Sequence, residues 1–178
     1  LVLLIRLAES TLQAELSDRL PSPELMDVAR NCVTTEGPRL LEMAEQNWGW
    51  AAANAIGVGF GMVDPVAETV LMHRDWRAPG IDTLEGLHHF RDYGSFIEDL
   101  RRGETVLIGD VTTDPRTRDH CQTLLDIGIR VLINVPIFDK GQFNLVVFVH
   151  YDQPHSWSQR EVDFVRSVGD RLQAAIGG

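Results

Sequence analysis

What the chain has little of narrows its function first. Basic residues are scarce: 16 Lys and Arg stand against 26 Asp and Glu, a formal net charge of −10. So acidic a chain repels phosphate backbones and anionic lipid, so no nucleic acid and no direct membrane insertion is expected. No apolar run approaches the roughly 20 residues that span a bilayer, and the apolar residues 1–5 lack the flanks of a leader. Cys32 and Cys121 are the only two cysteines, and they form neither a CxxC pair nor a disulfide framework, which fits a reducing cytoplasm. His73, His88, His89 and His120 occur without HxxxH or Cys/His spacing, so no metal site is expected. There is no HExxH, no nucleophile-elbow serine and no phosphate-binding glycine loop, so nothing points to an enzyme. An initiator Met is also missing, as in an excised or processed piece of a longer protein.

What is present is one globular domain, with 44% hydrophobic residues spread over 178. Its centre is residues 129–157. Two runs rich in Val, Ile and Phe, 131–138 and 143–151, flank Asp139-Lys140-Gly141-Gln142 and predict two antiparallel strands joined by a tight turn. Both runs are almost continuously apolar instead of alternating, so each is expected to bury both faces.

Upstream, residues 1–20 carry a narrow apolar stripe at 1, 4, 5, 12, 16 and 20 and predict a helix. Such a stripe serves equally for a homodimer seam or for packing on its own domain. Pro21-Ser22-Pro23 interrupts it, Ser22 and Pro23 supply the cap and first position of a second helix carrying Leu25, Val28, Ala29 and Cys32, and after the Gly37-Pro38 break that helix resumes as Arg39–Asn47. Residues 47–54 show no usable period. Residues 55–64 predict a strand with Gly57, Gly59 and Gly61 on one face, leaving room for a covering helix or a ligand. Residues 68–76 return as a second strand, and residues 77–93 read as a loop with short helical pieces. A short helix over 95–102, a strand over 105–109, a helix over 115–127 and a final helix over 159–176 complete the chain. The last is introduced by Ser158 with Glu161 three residues on, a capping box.

Taken as a set, several pieces carry a family likeness: Gly128-Ile129-Arg130, Val135-Pro136-Ile137, Gly141, the run 146–149, Pro154, and Trp157-Ser158 before a helix holding Glu161, Val162, Phe164 and Val165. Ile108-Gly109-Asp110-Val111 with Asp114-Pro115-Arg116, and His73-Arg74-Asp75-Trp76, fit the same pattern. Over roughly residues 55–176 the chain resembles a GAF domain, most of all those of bacterial sensor histidine kinases. The resemblance implies an α/β (α+β) fold with a central antiparallel sheet of about five to six strands. It places the N- and C-terminal helices on one face and a ligand-capping layer of loops and short helices on the other. It divides the chain into a signalling or dimerisation helix, 1–20, and a single domain, 21–178. It implies a sensory role, a homodimer through the terminal helices and a kinase output domain in the parent protein. The ligand stays open: a small organic molecule, or none in a structural, dimerising domain.

The same resemblance frames the candidate pocket residues: Trp76, Tyr93, Phe96, Asp110, Arg116, His120, Cys121, Leu124, Ile133, Val135, Phe148 and His150. In phytochromes and cyanobacteriochromes a Cys-His pair on the corresponding helix bonds and contacts a bilin. Here Asp119 takes the Cys position and His120 the His position, with Cys121 one residue late, a rotation of about 100° on a helix. That disfavours a covalent bilin. His150 and Tyr151 fall where those photoreceptors carry paired histidines. For Arg116 two readings stay open, a fork for a ligand carboxylate or phosphate and a structural ion pair, while Asp110 and Asp114 suit strand-stop and capping roles. Catalytic GAF domains that reduce free methionine sulfoxide use several cooperating cysteines, which this chain does not supply.

Overall fold

A computed structural model describes residues 57–72, 76–77 and 83–177, with Asp27 alone ahead of them. The helices expected over residues 1–47 and the unassigned residues 47–54 lie outside the described residues. In chain order the strands are β1 (Gly57–Asp64), β2 (Thr69–Met72), β3 (Trp76–Arg77), β4 (Gly86–His89), β5 (Val106–Ile108), β6 (Val131–Asp139) and β7 (Gln142–Tyr151). The helices are α1 (Ile97–Arg101), α2 (Cys121–Asp126) and α3 (Gln159–Gly177), with 3-10 turns at Phe90–Asp92 and Arg118–His120. All strand pairings are antiparallel, in the order β4-β2-β1-β7-β6-β5, and β3 pairs with the start of β1.

The two Val/Ile/Phe-rich runs form the β6–β7 hairpin at the heart of this sheet. Asp139 pairs with Gln142 across a two-residue loop in which Lys140 and Gly141 have φ of 53° and 78°. Positive φ at both central residues is the twist-matched hairpin turn, and Gly141 supplies one of them without a Cβ penalty. Both strands are buried along nearly their whole length. On one side lies α3: a Cβ on Gly169 would come 2.6 Å from Val135 Cγ1 and 3.4 Å from Ile137 Cδ1, so helix and strand are in close approach there. The capping box is formed, with Ser158 N donating to Glu161 Oε2 at 2.5 Å and Glu161 N donating to Ser158 Oγ at 3.4 Å. On the other side an apolar core gathers Val70, Phe90, Phe96, Leu124, Leu132 and Val146 under α1, α2 and the loops between them.

Four expectations are refined. The stretch read as loop over 77–93 contains β4, whose Gly86 and two histidines carry no strand propensity; the strand exists because its backbone pairs with β2. Of the strand expected over 68–76, Thr69–Met72 form β2 and Trp76 belongs to β3. The helix expected over 115–127 is a series of turns followed by α2. There the Asp114 carboxylate accepts from Arg116 N at 2.9 Å, and the buried Thr117 hydroxyl donates to Val111 O at 2.8 Å, holding the backbone out of helix. The space beside Gly61, expected to admit a covering helix or a ligand, is taken up by side chains of β2. Val70 and Met72 lean over it from β2, 2.3 and 2.9 Å from where a Cβ would sit.

Gly94, at φ 127°, lets the capping loop lie against the backbone of Arg116: a Cβ there would be 1.9 Å from Arg116 O. Ser95 N donates to that same carbonyl at 2.9 Å. Gly94→Ala should therefore destabilise the domain by about 2–4 kcal/mol, against about 1–2 for Gly141→Ala, whose Cβ position is open. Urea unfolding midpoints of the two variants check the order; equal midpoints would contradict the close approach.

Candidate functional site

Between the sheet and the capping layer lies a cavity. Its floor is Val70 and Met72 of β2, Leu132 and Asn134 of β6 and His150 of β7; its walls and roof include Leu84, His88, Phe90, Tyr93, Phe96 and Leu124, with Ile127 and Ile129 at one end. Its volume is about 30 Å³, more than the roughly 10–15 Å³ that admits one water, whereas sites that hold drug-sized ligands run to roughly 300–1,000 Å³.

Four polar side chains reach this apolar space. His88 Nε2 lies 2.8 Å from the Leu84 carbonyl, which only accepts, so Nε2 carries the proton. The Tyr93 hydroxyl, 2.6 Å from Nδ1, then donates to the other ring nitrogen. Burial first, and the nearby Asp92 charge second, push the Tyr93 phenol above its ordinary pKa, which keeps it a donor at neutral pH. His150 is 4% exposed and its ring stacks on Phe148 with centroids 4.4 Å apart. Asn134 is 5% exposed, and its side-chain oxygen is buried with no hydrogen-bond partner. Among the described lining residues there is no Asp, Glu, Lys or Arg.

Of the residues singled out from sequence, Tyr93, Phe96, Leu124 and His150 line the cavity, and Phe148 lies on the same face of β7, under His150. Ile133 and Val135 do not: the alternation of β6 turns Leu132 and Asn134 to the cavity and their neighbours to the face beneath α3. His120 is exposed on its 3-10 turn. Cys121 is a half-buried free thiol packed against the core beside the cavity, not in its lining. Trp76 pairs with Val58 in β3, and its side chain lies outside the described residues.

Arg116 and Asp110 stand apart from the cavity. The Arg116 fork is bidentate to Asp114, at 2.9 Å from Nε and 2.7 Å from Nη2, and also donates to Asp99 and to Leu107 O, each at 2.9 Å. It clamps α1, the 110–117 turns and β5 together, and the hydrogen bonds it donates to Asp114 raise its already high pKa further. Asp110 accepts from Thr112 N and Oγ1 at 2.9 and 2.6 Å and from Arg130 at 3.1 Å. With Asp114, His155 and Trp157 it borders a separate open cleft. Sequence reasoning missed Asn134 and His88; the signal for Asn134 was there, a lone amide in an otherwise apolar strand.

A family model described as GAF domain matches residues 24–176. A search of curated proteins finds no match. Solved structures similar to this chain include the blue-light-absorbing form of the PixJ GAF domain of Thermosynechococcus elongatus, 18% identical with a TM-score of 0.62 and 88% of each chain covered. The phycocyanobilin-bound GAF domain of a cyanobacterial phytochrome is 17% identical with a TM-score of 0.59, covering 88% of this chain and 95% of that one. The free methionine-R-sulfoxide reductase of Neisseria meningitidis, solved with its substrate, is 19% identical with a TM-score of 0.54, covering 84% and 78%. At these identities the likeness is one of fold.

The ion pairs of the turn region give a pH dependence. Hydrogen bonds from Arg116 hold the Asp114 carboxyl below its ordinary pKa; burial pushes Asp110 the other way, but the bonds from Thr112 and Arg130 outweigh it and lower Asp110 as well. Carboxylates depressed in the folded state stabilise it above the unfolded pKa of about 3.9 and lose that contribution as the pH falls through the folded pKa. Asp114→Asn should lower the Tm at pH 7 and flatten its fall between pH 5 and pH 2.5, measured by thermal melts. A variant with an unchanged acid slope would show that the clamp does not hold the fold.

Proposed function

This chain belongs to the GAF domain family, a family of sensory domains, and on that premise we propose that it is the ligand-responsive module of a bacterial signalling protein. The observation that carries the reading is Asn134. A buried amide oxygen without a partner costs about 1–3 kcal/mol, a cost a purely structural core avoids with an apolar side chain. Asn134 is itself one of the residues lining a cavity ringed by aromatic and aliphatic side chains. Transmission follows from the strand itself. Asn134 and Leu132 face the cavity while Val135 and Ile137 touch α3, so a ligand that prefers one position of β6 biases the helix that leaves the domain. No helix among the described residues is long and apolar enough to cross a membrane, and we place the module in the cytoplasm. Its output is a kinase domain elsewhere in the parent protein, with dimerisation through the terminal helices.

The small volume of the cavity favours a second reading, a dimerising GAF domain that binds nothing. Bilin binding, as in the photoreceptor neighbours, would need a cavity thiol for a thioether, and among the described residues no cysteine lines the cavity. Reductase chemistry needs cooperating cysteines, and Cys121 lies outside the lining, so we read the chain as non-catalytic.

Native mass spectrometry of the full chain separates the readings. The sensor reading predicts a small mass carried by wild-type protein and lost in Leu124→Trp, which fills the cavity at a cost of about 1–3 kcal/mol while far-UV CD stays folded. A bare protein with and without a panel of cell metabolites would leave the structural reading standing. Leu12→Asp, on the apolar stripe of residues 1–20, should turn a dimer into a monomer; unchanged assembly would remove the terminal-helix seam.

A further inference from the structure

The chemistry facing the cavity narrows the class of molecule it accepts, an inference that rests on the pocket reading above. Phe90, Tyr93, Phe96, His88 and His150 surround the space with rings, which suits a planar aromatic guest. No described lining residue is an Asp, Glu, Lys or Arg, and the guanidinium groups of Arg116 and Arg130 are already committed. Arg116 is held by Asp114 and Asp99, and Arg130 by Asp110. An anionic guest would give up its hydration with nothing to replace it. His88 and Tyr93 satisfy each other and Leu84 O, leaving the ring nitrogens of His88 no free valence for a guest. Asn134 is different: its oxygen is an acceptor, is 95% shielded with the rest of its residue, and has no donor. A guest that presents an N–H or O–H there removes an existing deficit, whereas a guest with only acceptors adds a second one.

We propose that the cavity selects small, uncharged aromatic molecules bearing a hydrogen-bond donor, phenols and indole-like heterocycles, through the Asn134 side-chain oxygen, and rejects carboxylates and phosphates. The present volume requires the half-buried Met72 and Tyr93 to give way on binding, which an unbranched thioether does readily.

Four near-isosteric probes test this on the full chain by methyl NMR titration: phenol with a donor, toluene with neither group, anisole with an acceptor only, and benzoate with a charge. Wild-type protein should prefer phenol to anisole by about tenfold, and Asn134→Leu should cut the phenol-to-toluene affinity ratio by about tenfold, the usual scale of one buried hydrogen bond. Because that substitution removes an unsatisfied polar atom, its Tm should equal or exceed that of wild type. If the variant does not fold, the order of the four probes on wild type decides alone. Binding of anisole or benzoate as tight as phenol, or a ratio unmoved by Asn134→Leu, overturns the donor class while leaving the pocket in place. Titrations in which none of the four shifts the Met72 or Leu124 methyls overturn the pocket reading and this inference with it.

Discussion

Everything else in the domain depends on the burial of the β6–β7 hairpin from both sides. A strand with water on neither face has to satisfy each backbone N–H and C=O within the sheet, so both strands need partners on both edges. β1 provides the outer partner of β7 and β5 that of β6. The exposed edges then fall to the short strands β4 and β5, where few unpaired groups remain. Covering one face is the task of α3 with its Val162, Val165 and Val168 stripe; covering the other falls to α1, α2 and their loops. The Arg116 clamp and the Gly94 approach fasten that second layer to the sheet's edge.

That arrangement was legible where the signal was local. The hairpin came from two apolar runs and a Gly-containing turn, and the capping box before α3 from Ser158 and Glu161, each fixed by residues within a few positions of one another. β4 was not legible, because its Gly-Leu-His-His sequence becomes a strand only through backbone pairing with β2, whose Thr69 lies 20 positions before its partner His89. The role of Arg116 was likewise closed to sequence, since one of its carboxylates, Asp99, is 17 positions upstream.

The cavity itself was half legible. Aromatic and aliphatic candidates such as Tyr93, Phe96 and Leu124 line it, yet Ile133 and Val135 sit on the far face. A run apolar at every position hides its own alternation, so the sequence could not say which of two adjacent residues faced inward. Asn134, the one amide in VLINVPIF, faces the cavity, and sequence reasoning passed it over.

β6 runs from the cavity, which Leu132 and Asn134 line, to the contact of Val135 and Ile137 with α3. The direct test is a methyl-resolved NMR spectrum of the full chain recorded with and without saturating phenol. The account predicts that the Val135 and Ile137 methyls under α3 shift together with those of Met72 and Leu124 in the cavity. Shifts confined to the cavity methyls would contradict it, leaving a pocket that binds without telling the helix.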